Sequence, residues 1–136
     1  MAEKQNSMKI RGAVSSGKGI GKKFVQLEWV QKQFEEKLGF RCYPGTLNLT
    51  LADREIRKRE KLEKFKGIKI IPKNGYCEAK CFRAKIENFE EIKVALILPL
   101  VSNYPKNLIE IISPYNLRER LNLKDGDYLG LSVYPE

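Results

Sequence analysis

The sequence predicts a mainly β protein in which about six strands close into a small barrel, with one or two short helices. Three observations carry this. Segments of strand length recur from Met8 to Tyr134, only one stretch shows a clear helical period, and most connections are short and marked by glycine, proline or Asp-Gly. Strands so joined protect their edges best by closing on themselves. The 136 residues suit one domain with a real core, and 42% apolar with 32% charged residues is an ordinary globular balance.

Met8 to Ser15 is the first predicted strand, and it runs into a glycine-rich loop, Gly17 to Gly21. Leu27, Val30, Phe34 and Leu38 follow at spacings of three, four and four, which is helical, and Gly39 is placed to end that helix. Pro44-Gly45 marks a turn before "TLNLTL", where Leu47, Leu49 and Leu51 alternate with Thr46, Asn48 and Thr50. Period two puts the leucines in the core and the polar residues on a wet opposite face. Residues 53–66 are highly charged and fit either a helix or a loop. From Gly67 the pattern turns to β: "GIKIIP", "CEAKCFRAKIE", "EIKVALILP" and "LIEIISP", then a short helix at "NLRERLNL", the tight turn "KDGD" and a last strand, "YLGLSVY".

Charge and composition narrow the function. A net charge of +9 favours anionic partners, phosphorylated small molecules or nucleic acids, although residues 53–69 concentrate eight basic and four acidic side chains. The longest apolar run, "VALILPLV", is far short of a membrane span, and "MAEKQNSMK" has no apolar signal region, so a cytoplasmic protein is expected. Cys77 and Cys81 lie roughly 13 Å apart if both sit on one strand, too far for a disulfide, and buried thiols are expected. There is no histidine, which removes Ser-His and Cys-His nucleophile pairs and imidazole zinc sites.

The stretch "GAVSSGKGIGKKF" opens like a phosphate-binding P-loop, with Gly12, four residues, then Gly17-Lys18. Gly19 stands where a Ser or Thr hydroxyl should bind Mg²⁺, and Gly19-Ile20-Gly21 would weaken the helix that a P-loop needs there. A P-loop is rejected on both counts, the strand-to-helix setting included. Alternate glycines still let backbone N–H groups converge on an anion, with Lys18, Lys22 and Lys23 beside them. A plain turn between strands fits the same residues. Thr46 and Asn48 share one strand face and offer hard oxygens suited to Mg²⁺, or simply occupy a solvated face.

Three blocks, "SGKGIGKKFV", "LGFRCYPGTLNL" and "LIEIISPYNLRERLNLKDGD", resemble in order and spacing the archaeal CTP-dependent riboflavin kinases. The resemblance runs from about Lys9 to the C-terminus, and "YPGTLNL" and "EIISPYNLRE" are its specific parts. It implies a six-stranded cradle-loop barrel of the swapped-hairpin, RIFT type over residues 9–136, after an N-terminal extension of residues 1–8. It implies transfer of the γ-phosphoryl group of CTP to the 5′-hydroxyl of riboflavin, giving FMN and CDP. Carried onto this sequence, it assigns nucleotide binding to Gly17, Lys18, Gly19, Ile20, Gly21 and Lys22, and to Tyr115, Asn116, Leu117 and Arg118. Mg²⁺ falls to Thr46 and Asn48, and flavin binding to Glu110 and to Ser102, where the family often has Thr. Cys42 stands where the family often has Pro.

On this reading Glu110 accepts a hydrogen bond from the ribityl hydroxyl, orienting it or taking its proton, while the glycine loop and a lysine hold phosphate charge. CTP and riboflavin are then the partners of a monomer, with no membrane. The competing reading is a basic swapped-hairpin barrel that binds DNA, against which stands the lack of aromatics interleaved with basic residues. A flavin-binding module without catalysis is a third.

Overall fold

The computed structural model describes residues 6–17, 21–73 and 75–135, with Gly21 and Lys22 described by backbone alone. The order is β1 (Met8–Ser15), α1 (Gly21–Gln26), α2 (Glu28–Leu38), β2 (Leu47–Thr50), α3 (Asp53–Glu63), β3 (Ile68–Ile70), β4 (Ala79–Ile86), β5 (Phe89–Pro99), β6 (Leu108–Ile112), α4 (Leu117–Arg120) and β7 (Tyr128–Tyr134). Six strands pair antiparallel in a ring, β4-β5-β6-β2-β1-β7, and β7 closes it by pairing with β4. β3 pairs with Cys81 to Ala79 on one half of β4, while β7 pairs with Arg83 to Ile86 on the other. The predicted six-stranded barrel is present, with β3 as a short flap beside it.

Alternation fills the inside. Ile10 and Val14 of β1, Leu47 and Leu49 of β2, Phe82 and Ile86 of β4, Leu96 and Leu98 of β5, Ile109 and Ile111 of β6, and Leu131 and Val133 of β7 share one inner core. A second core lies outside the barrel wall. There α1 and α2 press Phe24, Val25, Val30 and Phe34 onto Ala79, Cys81, Ala95, Ile97 and Ile112. β5 is therefore covered on both faces, which is why "VALILP" is apolar without alternation.

The helices outnumber the one or two expected. α2 follows the predicted spacing and ends at Gly39, whose φ of 88° only glycine adopts freely. Residues 53–63, open between helix and loop, form α3. Its inward face carries two apolar residues, Ile56 and Leu62, beside buried Glu55 and Arg59, so its period is masked by charge. Glu55 Oε1 accepts from the Arg11 N–H at 2.8 Å, and Arg59 Nε donates to the Leu108 carbonyl at 2.9 Å, fastening α3 across the barrel end. Lys80 Nζ donates to the Glu63 and Phe65 carbonyls, satisfying the last turn of α3.

The setting of the glycine loop is a correction. β1 stops at Ser15 and α1 starts at Gly21, so a strand precedes this segment and a helix follows it. Gly21 is the first residue of α1, so it carries no cost of an interior glycine. Lys18, Gly19 and Ile20 lie outside the described residues. The missing hydroxyl at position 19 still separates the loop from a P-loop.

Gly12 faces inward where β1 crosses β2, and a Cβ there would stand 2.9 Å from Leu49 Cβ and 3.0 Å from the Thr50 carbonyl. Gly12→Ala is expected to destabilise the fold by about 1–3 kcal/mol through this overpacking. Urea unfolding measures it, and an unchanged midpoint would mean that β1 and β2 part without cost.

Candidate active site

The approach to β2 is pinned before it reaches the barrel. The buried Gln31 of α2 donates to the Val25 and Cys42 carbonyls and accepts the Cys42 N–H at 2.9 Å. The Tyr43 N–H then donates to the Ser113 carbonyl at 2.7 Å, which joins "YPGTLN" to the end of β6. The Ser113 hydroxyl donates to the Lys93 carbonyl, and Asn116 Nδ2 donates to the Tyr43 hydroxyl at 3.1 Å. Asn116 Oδ1 caps α4 by accepting the Glu119 N–H.

These ties enclose a cleft of about 250 Å³ lined by Tyr43 to Leu47 on one side and by Ser113 and Tyr115 to Arg118 on the other. The Arg120 guanidinium lies 4.3 Å from the centroid of the Tyr115 ring, bracing it. Arg118 Nη2 receives no slack either. It donates to Ser16 Oγ at 3.0 Å and to Asp125, while Ser16 Oγ donates to Asp125 Oδ1 at 3.0 Å. Arg118 thus links the cleft to the entry of the glycine loop.

Behind Thr46 lies a polar cluster. Thr46 Oγ1 is 2.7 Å from Glu110 Oε1 and 3.1 Å from Asn48 Oδ1, and its one proton serves either. Asn48 and Glu110 are direct cross-strand partners in the β2–β6 register. Glu110 is 0% exposed and Asn48 8%, so the middle of the β2 face expected to be wet is buried, while Thr46 and Thr50 are half-buried. Tyr104, in the turn after β5, donates its hydroxyl to Glu110 Oε2. Burial first, then the charge of Glu110, pushes that phenol far above its ordinary range, so it remains a donor. Burial likewise raises the Cys42 thiol to about 11; the free thiols of Cys42 and Cys81 are buried as expected, whereas Cys77, which precedes β4, is only half-buried.

Of the residues singled out in the sequence, Thr46, Tyr115, Asn116, Leu117 and Arg118 line one cleft, with Asn48 and Glu110 behind Thr46. Gly17 follows Ser16 at the end of β1, and Gly21 and Lys22 are the first residues of α1. Ser102 is exposed in the turn that precedes β6 and does not line the cleft. Tyr43, Tyr104, Ser16 and Asp125 were not singled out. Tyr43, Ser16 and Asp125 had a signal in their places within the three blocks, and Tyr104 had none.

The comparisons with known proteins decide the family. Residues 14–133 match the profile named CTP-dep_RFKase, described as a domain of unknown function, DUF120. The chain belongs to the CTP-dependent riboflavin kinase family. Proteins named riboflavin kinase are similar over nearly all of it. One from Archaeoglobus fulgidus is 41% identical over 95% of this chain and 56% of its own length. One from Pyrobaculum islandicum is 38% identical over 96% of this chain and 62% of its own. One from Sulfolobus acidocaldarius is 38% identical over 96% of this chain and 84% of its own. The chain thus spans little more than half of the first two family members and most of the third. Among the described residues, no helix is long and apolar enough to cross a membrane.

Hydrogen bonds from Arg118 and then Ser16 hold the Asp125 carboxyl below its ordinary range. The tie is therefore complete above the ordinary carboxylate pKa and is lost as pH falls through the lowered one. Carboxyl-carbon NMR should show the Asp125 midpoint rising toward its ordinary value in Arg118→Ala, with the Ser16 hydrogen bond retained. A midpoint that stays put would show that the two do not pair in solution.

Proposed function

We propose that this chain is a riboflavin kinase that moves the γ-phosphoryl group of CTP to the 5′-hydroxyl of riboflavin, releasing FMN and CDP. Family membership and the riboflavin kinases it resembles support the reaction class. The observation that carries the site is that Thr46, with Asn48 and Glu110 behind it, shares a cleft with Tyr115 to Arg118. A carboxylate and hard oxygen donors adjoin a cleft whose far side carries Arg118, next to the entry of the glycine loop, an arrangement suited to phosphoryl transfer to an alcohol.

Mg²⁺ fits the oxygens present. Among the described residues no group of three or more His, Cys, Asp or Glu could hold a metal, so a protein cage is absent there. A hydroxyl in contact with an amide oxygen and with one carboxylate forms the sparse, hard set that leaves room for water and phosphate ligands. Thr46 and Asn48 would hold the ion, which when bound supplies charge neutralisation to the phosphates.

The chain's own groups do the rest. Arg118 and the N–H groups of the glycine loop take up phosphate charge on the nucleotide. Glu110 Oε1 accepts the proton of the ribityl hydroxyl as that oxygen forms its bond to the γ-phosphorus. The bond from phosphorus to the β–γ bridging oxygen breaks, and its electron pair leaves with CDP. With no histidine in the chain, a carboxylate is the side chain suited to this task. Both side-chain ends of the Asn116 amide are engaged, so backbone groups from Tyr115 to Leu117 are assigned to the cytosine edge.

Purified protein given riboflavin, Mg²⁺ and each nucleoside triphosphate in turn should form FMN, seen by chromatography, with CTP far above ATP. No FMN with any of them overturns the activity, and equal rates remove the CTP assignment. Glu110→Gln should lower kcat by about 10²- to 10⁴-fold if Glu110 takes the proton. A nearly unchanged kcat would sink that role.

A further inference from the structure

Tyr104 belongs to none of the blocks that mark the family in this sequence, yet it holds the reacting end of the site. The turn Val101 to Tyr104 closes by the Tyr104 N–H donating to the Val101 carbonyl at 3.2 Å, and it sets the phenol hydroxyl on Glu110 Oε2. The other oxygen, Oε1, is met by Thr46, a cleft residue, at 2.7 Å. The two oxygens of a wholly buried carboxylate thus have different neighbours, one on the cleft side and one on the turn side.

The tyrosine is itself fixed from behind. The Arg59 guanidinium lies 5.3 Å from the centroid of its ring. Arg59, 3% exposed, is anchored by its Nε to the Leu108 carbonyl and by Nη1 to Glu63. A line of contacts therefore runs from α3 through Arg59 and Tyr104 to Glu110 and Thr46. The terminal torsion of a glutamate is soft and broad, so a donor on one oxygen fixes the plane of the carboxylate and with it the direction in which the other oxygen points.

We propose that Tyr104 is a positioning residue for phosphoryl transfer: its hydroxyl holds one oxygen of Glu110 on the turn side and so fixes the carboxylate plane, which keeps the other oxygen aimed at the flavin hydroxyl. This rests on Glu110 acting on that hydroxyl as assigned above. The same turn carries Ser102, so its closure through Tyr104 also couples the flavin-side loop to the carboxylate. The phenol stays protonated over the whole working range, because burial and the neighbouring charge both oppose its ionisation. Arg59, in the highly charged segment, gains a role as the brace of that phenol.

Tyr104→Phe tests this, since it keeps the ring and the Arg59 contact and removes only the hydroxyl. We expect kcat to fall about tenfold, with the nucleotide KM within about twofold. In a Glu110→Gln background the same change should cost less than about twofold, because the hydroxyl acts through the carboxylate. An unchanged kcat in Tyr104→Phe, beside a collapse in Glu110→Gln, overturns the positioning role and leaves the Glu110 assignment standing. Full turnover in Glu110→Gln overturns both. An equal loss in the two backgrounds shows that Tyr104 acts without Glu110 and also overturns it. Should the Phe variant not fold, Arg59→Gln serves, keeping a donor for the Leu108 carbonyl while removing the charge over the ring. It should lower kcat in the parent by about two- to fivefold and not in Glu110→Gln; no loss in the parent overturns the proposal.

Discussion

A carboxylate without exposed surface sits in the wall of this barrel, and much of the site follows from satisfying it. Glu110 occupies the outward position of β6 beside Ile97 of β5 and Asn48 of β2, in a row otherwise suited to apolar side chains. Burying a charge there is costly unless hydrogen bonds replace its water. Thr46 and Tyr104 supply two of them, and each comes from an irregular segment that has to be brought to the barrel wall. The "YPGT" approach and the turn after β5 are therefore held where they are by one acidic group.

The cleft depends on a second set of ties, most of which involve a side chain. Gln31 fixes Cys42, Ser113 receives Tyr43, and Asn116 joins Tyr43 while capping α4. Such bonds set the position of loops to within tenths of an ångström without needing an apolar core beneath them. Arg118 is the exception, paired with an acidic group that is itself exposed. That pairing adds little stability in water. Its effect is geometric, because it aims the guanidinium between the cleft and the glycine loop before any phosphate arrives.

Burial of charge also explains where the sequence was hard to read. α2 was legible because Val30 and Phe34 point one way at helical spacing and Gly39 stops the chain. α3 was not, because half of its inward face is Glu55 and Arg59, which any periodicity of hydrophobic residues counts as surface. The β2 face was misread for the same reason. Thr46, Asn48 and Thr50 look solvated by type, but the register opposite Glu110 buries Asn48, and the two threonines are half-buried.

By itself the sequence determined the strands, the inner core and the family, since these rest on local period two and on short blocks whose order survives without coordinates. It also marked Thr46, Asn48 and Glu110 as candidates, because their residue types suit the chemistry. What only the tertiary structure decided is which groups meet. The β2–β6 register sets Glu110 opposite Asn48 across 62 positions of chain, and the return of β7 brings Asp125 to Ser16. Tyr104 and Arg59 enter for the same reason. Contacts between residues far apart in sequence leave no trace in local pattern, and a buried charge is recognised only when its surroundings are known.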